Sequence, residues 1–111
     1  MALAAGDWLL AHRYRGFGDL VSGRDRFFYS VYYSSQAMMQ LGGRYWDQYF
    51  PTVVDALLSG QEANGSWPPE IRNTGNIVGG GSDSMFGKVY TSALAVLSLT
   101  PPYQLLPIYQ R

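Results

Sequence analysis

The chain has 111 residues and a mass of 12.4 kDa, a length that allows one domain. It is 47% hydrophobic and 15% aromatic but only 14% charged, against about 25% charged in ordinary soluble domains, so it has much apolar surface to bury and little to remain disordered with. Eight basic and eight acidic side chains cancel and no Cys is present, which argues against phosphate-driven nucleic-acid binding and removes disulfides, thiolate zinc sites and Cys nucleophiles.

Residues 2–13, with Leu3, Trp8, Leu9 and His12, read as a first helix of an outward-facing type. The start has no basic leader and carries Asp7 early, so it does not read as a signal peptide. The densest basic spot follows at Arg24 and Arg26, with Asp25 between them. Residues 27–41 form a helix with no charged side chain, in which small residues (Ser34, Ser35, Ala37) alternate with large ones. A helix with no charged face is expected to be buried on all sides. Gly42 and Gly43 end it. In the next segment Trp46, Phe50, Val53, Val54, Leu57 and Leu58 share one face, with Arg44, Asp47 and Asp55 left for water. Pro51 interrupts this outer helix: either it kinks there, or a new helix starts at Pro51. Gly60 closes it. After a glycine-rich insertion containing Gly79, Gly80 and Gly81, residues 88–99 form a second uncharged helix, which Pro101 and Pro102 end.

The chain repeats itself. At a shift of 58, Asp25, Phe28, Val31, Tyr32, Ser34, Ala37, Leu41 and Tyr45 fall on Asp83, Phe86, Val89, Tyr90, Ser92, Ala95, Leu99 and Tyr103. At a shift of 48, Asp7, Leu9 and Leu10 fall on Asp55, Leu57 and Leu58. Repeats of this period indicate stacked supersecondary units. The predicted order is outer helix, inner helix, outer helix, inner helix: repeat one over about 2–42, repeat two over about 43–100, and a tail over 101–111 that begins another outer element. Short inner-to-outer connections imply antiparallel hairpins. The fold class is all-α.

Gln61, Gly65 and Trp67 form a Q-x-x-x-G-x-W motif at the end of the second outer helix. Its spacing resembles the repeat motif of squalene–hopene and oxidosqualene cyclases. From about residue 5 to the end, the chain resembles bacterial prenyltransferase and squalene oxidase repeat proteins. The likeness is carried by that motif, by Tyr32–Ala37, Gly42–Trp46 and Val89–Leu97, and by the tail Leu105–Tyr109. It implies part of an α/α toroid, with inner and outer rings of helices. Within the motif, Gln61 is expected to donate to free carbonyls at the helix end, Asn64-Gly65 to make a tight turn, and Trp67 to pack its ring and find an acceptor for its N–H. The resemblance also makes Phe28, Tyr29, Tyr32, Tyr33, Phe86 and Tyr90 candidate cavity-lining aromatics. The alternative is that they fill gaps between helices.

No catalytic set can be assembled from these residues. The eight acids lie at least six positions apart, so neither the Asp-x-Asp-Asp acid nor the Asp-Asp-x-x-Asp metal motif of terpene cyclases can be built locally. The zinc-ligand Cys of protein prenyltransferases is missing, and Tyr90 stands where their His is expected. His12, the only histidine, reads as a surface or capping residue. The glycine run followed by Gly87-Lys88 lacks the Ser or Thr of a phosphate loop. No cofactor, metal or transmembrane span is expected. The expected function is a non-catalytic repeat module binding an apolar, isoprenoid-like ligand or a protein. The alternative is the C-terminal part of a terpene cyclase or prenyltransferase-like enzyme whose acids lie elsewhere. Toroids of this kind need about five or six hairpins, so two are expected to be a fragment or a self-associating piece, with further repeats as partners.

Overall fold

The computed structural model describes residues 1–18, 27–69 and 87–103. Arg24 and Arg26, the glycine run at 79–81, Phe86 and the tail beyond Tyr103 lie outside them. The described residues hold four helices and no strand: α1 (Ala2–Ala11), α2 (Phe27–Leu41), α3 (Gly43–Ser59) and α4 (Gly87–Leu99), followed by a 3-10 turn at Pro101–Tyr103. The all-α reading holds.

A helix starting afresh at Pro51 is overturned, because α3 runs unbroken through that residue. Pro51 removes the N–H that would bond the Asp47 carbonyl, and both residues lie on the exposed side, where water can take its place. The predicted turn at Gly42 and Gly43 is sharp. Gly42 donates its N–H to the Met38 carbonyl at 3.0 Å and so ends α2, and it is also the first residue before α3. Its φ of +66° and the +48° of Gly43 lie in the left-handed region that glycine enters without steric cost.

The chain direction therefore reverses, and contacts at the far end of the hairpin agree. Phe17 lies against Gly60 at the end of α3 and packs edge-on against Phe27 and Phe28 at the start of α2. α1 also runs opposite to α2. Gly6 meets Leu41 and Tyr45, Arg44 pairs with Asp7 at 2.6 Å, and Tyr14, beyond the end of α1, bonds Ser30 near the start of α2. Trp67 then bonds both the end of α3 and the first turns of α4. Hence α1 lies parallel to α3 and α2 parallel to α4, in two layers of alternating helices.

The core gathers Tyr14, Phe27, Phe28, Val31, Met38, Tyr45, Tyr49, Val53, Leu57 and Trp67 between these layers. α3 is amphipathic with Arg44, Asp47 and Asp55 exposed, but its buried face is rotated from the expected one: Tyr45, Tyr49, Val53, Ala56 and Leu57 are buried, Trp46, Phe50 and Val54 are half-buried, and Leu58 is exposed. The expectation that α2 and α4 are buried all round is corrected. Each is buried on one side only: α2 leaves Tyr29 and Tyr33 43% and 53% exposed, and α4 leaves Val89 and Val96 84% and 48% exposed. The absence of charge does mark these helices, but no described helix covers their second faces.

Candidate functional site

The Gln61–Trp67 segment is built as a clasp between α3 and α4. Glu62 N–H donates to the Ser66 carbonyl at 2.8 Å and Gly65 N–H to the Glu62 carbonyl at 2.9 Å, closing a tight loop. Gly65 has a φ of +86°, so the turn needs glycine there. Asn64 supports it by accepting the Ser66 N–H at 3.0 Å. Gln61 donates to the Gly65 carbonyl at 2.9 Å, inside the loop. This corrects the expectation that it serves the helix end.

The helix end is served instead by Trp67, whose indole Nε1–H donates to the Leu57 carbonyl at 2.8 Å. The Trp67 backbone holds the other partner: its N–H donates to Ser92 Oγ at 3.0 Å, and its carbonyl accepts Thr91 Oγ1–H at 3.1 Å. With the ring 3% exposed, Trp67 fixes where α4 starts relative to where α3 stops. Across the rim, Lys88 Nζ lies 2.6 Å from Glu62, which also accepts from Ser66 Oγ at 2.9 Å. The Lys88 hydrogen bond, and then that of Ser66, hold the Glu62 carboxyl below its ordinary range.

Of the candidate cavity-lining aromatics, Phe86 lies outside the described residues, and among the others Phe28 is set apart from Tyr29, Tyr32 and Tyr33. Phe28 is buried among Phe17 and Phe27. Tyr29 and Tyr33 stand on the exposed face of α2 with ring centroids 4.6 Å apart, Tyr32 meets Tyr33 edge-on at 4.9 Å, and Tyr90 is half-buried on α4. What these residues offer is an uncharged aromatic surface. His12 is the predicted capping residue: it ends α1, stacks on Trp8 and shares a 2.8 Å hydrogen bond with the Trp8 carbonyl. Among the described residues no three His, Asp or Glu side chains gather as a metal site, and no helix is long and apolar enough to cross a membrane.

Sequence reading missed Tyr14 and Phe17 as core residues, and missed Thr91 and Ser92 as the anchors of Trp67. The first pair carried a signal, since both are aromatics set among Arg13, Arg15, Gly16 and Gly18, where a solvated loop has no use for rings. No family model, curated protein or solved structure matches the chain.

Proposed function

We propose that the chain is a non-catalytic repeat module of the α/α-toroid type, in which α1 and α3 are outer helices and α2 and α4 inner ones. Its uncharged inner-helix faces bind an apolar ligand of isoprenoid type or a protein. The observation that carries this reading is the pair of bare, uncharged faces: Tyr29 and Tyr33 on α2, Val89, Ala93 and Val96 on α4. Exposed apolar surface of this kind marks interaction sites. The Gln61–Trp67 clasp supports the toroid assignment, because it fastens each end of an outer-to-inner connection as a repeat motif should.

Incubation of the chain with squalene or a polyprenyl diphosphate tests the non-catalytic part. No cyclised or transferred product is expected, and turnover would overturn the reading. A farnesyl-chain probe titrated against Tyr and Trp fluorescence tests the ligand. Saturable quenching that weakens severalfold in Tyr33→Ser supports an apolar ligand, whereas unsaturable quenching leaves a protein as the occupant.

A further inference from the structure

Across the 58-residue shift, α2 and α4 bury opposite faces. Val31, Ser35 and Met38 of α2 are at most 1% exposed, while their counterparts Val89, Ala93 and Val96 on α4 lie bare. The reverse holds for the second stripe. Thr91, Ala95 and Ser98 of α4 are fully buried, while their counterparts Tyr33, Ala37 and Gln40 on α2 are exposed. Hydrophobicity does not decide this, since Val31 and Val89 are the same residue type, as are Ala37 and Ala95. Position in the stack decides it.

On a helix of 3.6 residues per turn, the 89/93/96 and 91/95/98 stripes stand on nearly opposite sides. α4 packs chiefly on α2, so its buried stripe is its docking face. α4 therefore leaves exposed, among the described residues, the counterpart of a stripe that α2 buries. α2 presents the equivalent of the face that α4 uses to dock.

We propose that both faces are filled by further copies of this chain, docked head to tail, with Tyr33, Ala37 and Gln40 of one copy seated on Val89, Ala93 and Val96 of the next. This rests on the repeat reading above and names the partner. Volumes favour the match. The docking stripe is bulkier in α2 than in α4, with Tyr33 for Thr91 and Gln40 for Ser98. The receiving stripe is slimmer in α4 than in α2, with Ala93 for Ser35 and Val96 for Met38. Neither stripe carries a charge, so docking buries no ion. The outer layer follows the same rule: Trp8 is exposed while its counterpart Ala56 is buried. Such an interface is heterologous, leaves one free face at each end, and continues into a ring or a chain of copies.

Two variants that each block one face provide the test. Ala37→Arg blocks the docking face and Ala93→Arg the receiving face. Both residues are exposed, and Arg is nearly as good a helix former as Ala, so circular dichroism should match the unmodified chain. By light scattering, the unmodified chain should exceed two chain masses as concentration rises, and each variant alone should remain at one. An equimolar mixture of the two, with one good face of each kind, should double in mass and go no further. A monomeric unmodified chain would overturn the proposal, as would variants that still associate alone or a mixture that stays monomeric. Those results would leave the non-catalytic module standing, whereas turnover of an isoprenoid would remove that reading without touching the assembly.

Discussion

Two joints fasten successive helices, α1 to α2 and α3 to α4, and they rely on different chemistry. The α1–α2 joint is mainly a cluster of rings, Tyr14 on Phe27 at 5.4 Å, Phe17 on Phe27 at 5.3 Å and Phe17 on Phe28 at 5.7 Å, with a single side-chain hydrogen bond between Tyr14 and Ser30 beside them. The α3–α4 joint is one ring and three directed hydrogen bonds around Trp67. The helices themselves explain the choice. α2 begins with Phe27 and Phe28, which supply apolar area enough to be held by burial. The buried stripe of α4 is Thr91, Ala95 and Ser98, which lets it approach α2 closely but buries little area. It needs directional anchors to fix its height against α3, and Trp67 supplies them.

The largest expected effect breaks the second joint. Trp67→Ala should cost about 3–5 kcal/mol, the range for deleting a buried large aromatic. Trp67→Phe keeps most of the ring and removes Nε1–H, so it should cost about 1–2 kcal/mol. The Leu57 carbonyl is not orphaned by that change, because it also accepts the Gly60 N–H at 3.1 Å. Urea unfolding followed by circular dichroism gives both values. Equal losses would mean that the hydrogen bond, and not the ring, holds the joint.

The next prediction tests whether the two joints are independent. A Cβ on Gly60, in the second joint, would fall 2.1 Å from a ring carbon of Phe17, in the first. The φ of Gly60 is −103°, so the backbone itself tolerates Ala and the whole cost is this clash. Gly60→Ala should destabilise by about 1–3 kcal/mol, the usual cost of overpacking. In the Phe17→Ala background the same change should cost much less, since the two residues touch. Strict additivity in the double-mutant cycle would show that Phe17 is not seated on the end of α3.

Much of this fold was legible in the residues. The apolar spacing, the Gly42-Gly43 pair and Pro101-Pro102 mark the helices to within a few positions, because those signals are local. What failed depended on the neighbours. Whether Pro51 breaks α3 turns on which side of the helix meets water. Gln61 was given the helix end because a free carbonyl and a free amide lay nearby in sequence, but Trp67, ten residues beyond Leu57, arrives there first. Tyr29, Tyr33 and Phe28 look alike as aromatics of one helix, and only the position of α4 and Phe17 separates the bare pair from the buried ring. The counterpart faces of α2 and α4 were present in the 58-residue shift all along. They become visible only when burial is compared position by position.

The smallest expected effect distinguishes the joints by pH. In the folded chain the hydrogen bond from Lys88, and then that from Ser66, depress the Glu62 carboxyl below its ordinary value of 4.5. A carboxylate depressed on folding stabilises the fold above its unfolded pKa, and that contribution disappears as pH falls through the lower folded value. The loss therefore lies in the acid range below 4.5. It should be small, because both partners are substantially exposed, with side chains 49% and 36% accessible. Lys88→Met should flatten the acid fall in melting temperature, leaving only the share due to Ser66. The described residues of the first joint, 12–18 and 27–30, include no carboxylate. Below pH 4.5, amide protection factors should consequently fall at the start of α4 before they do at the start of α2, and equal falls at both ends would mean that Glu62 and Lys88 do not help hold α4 in place.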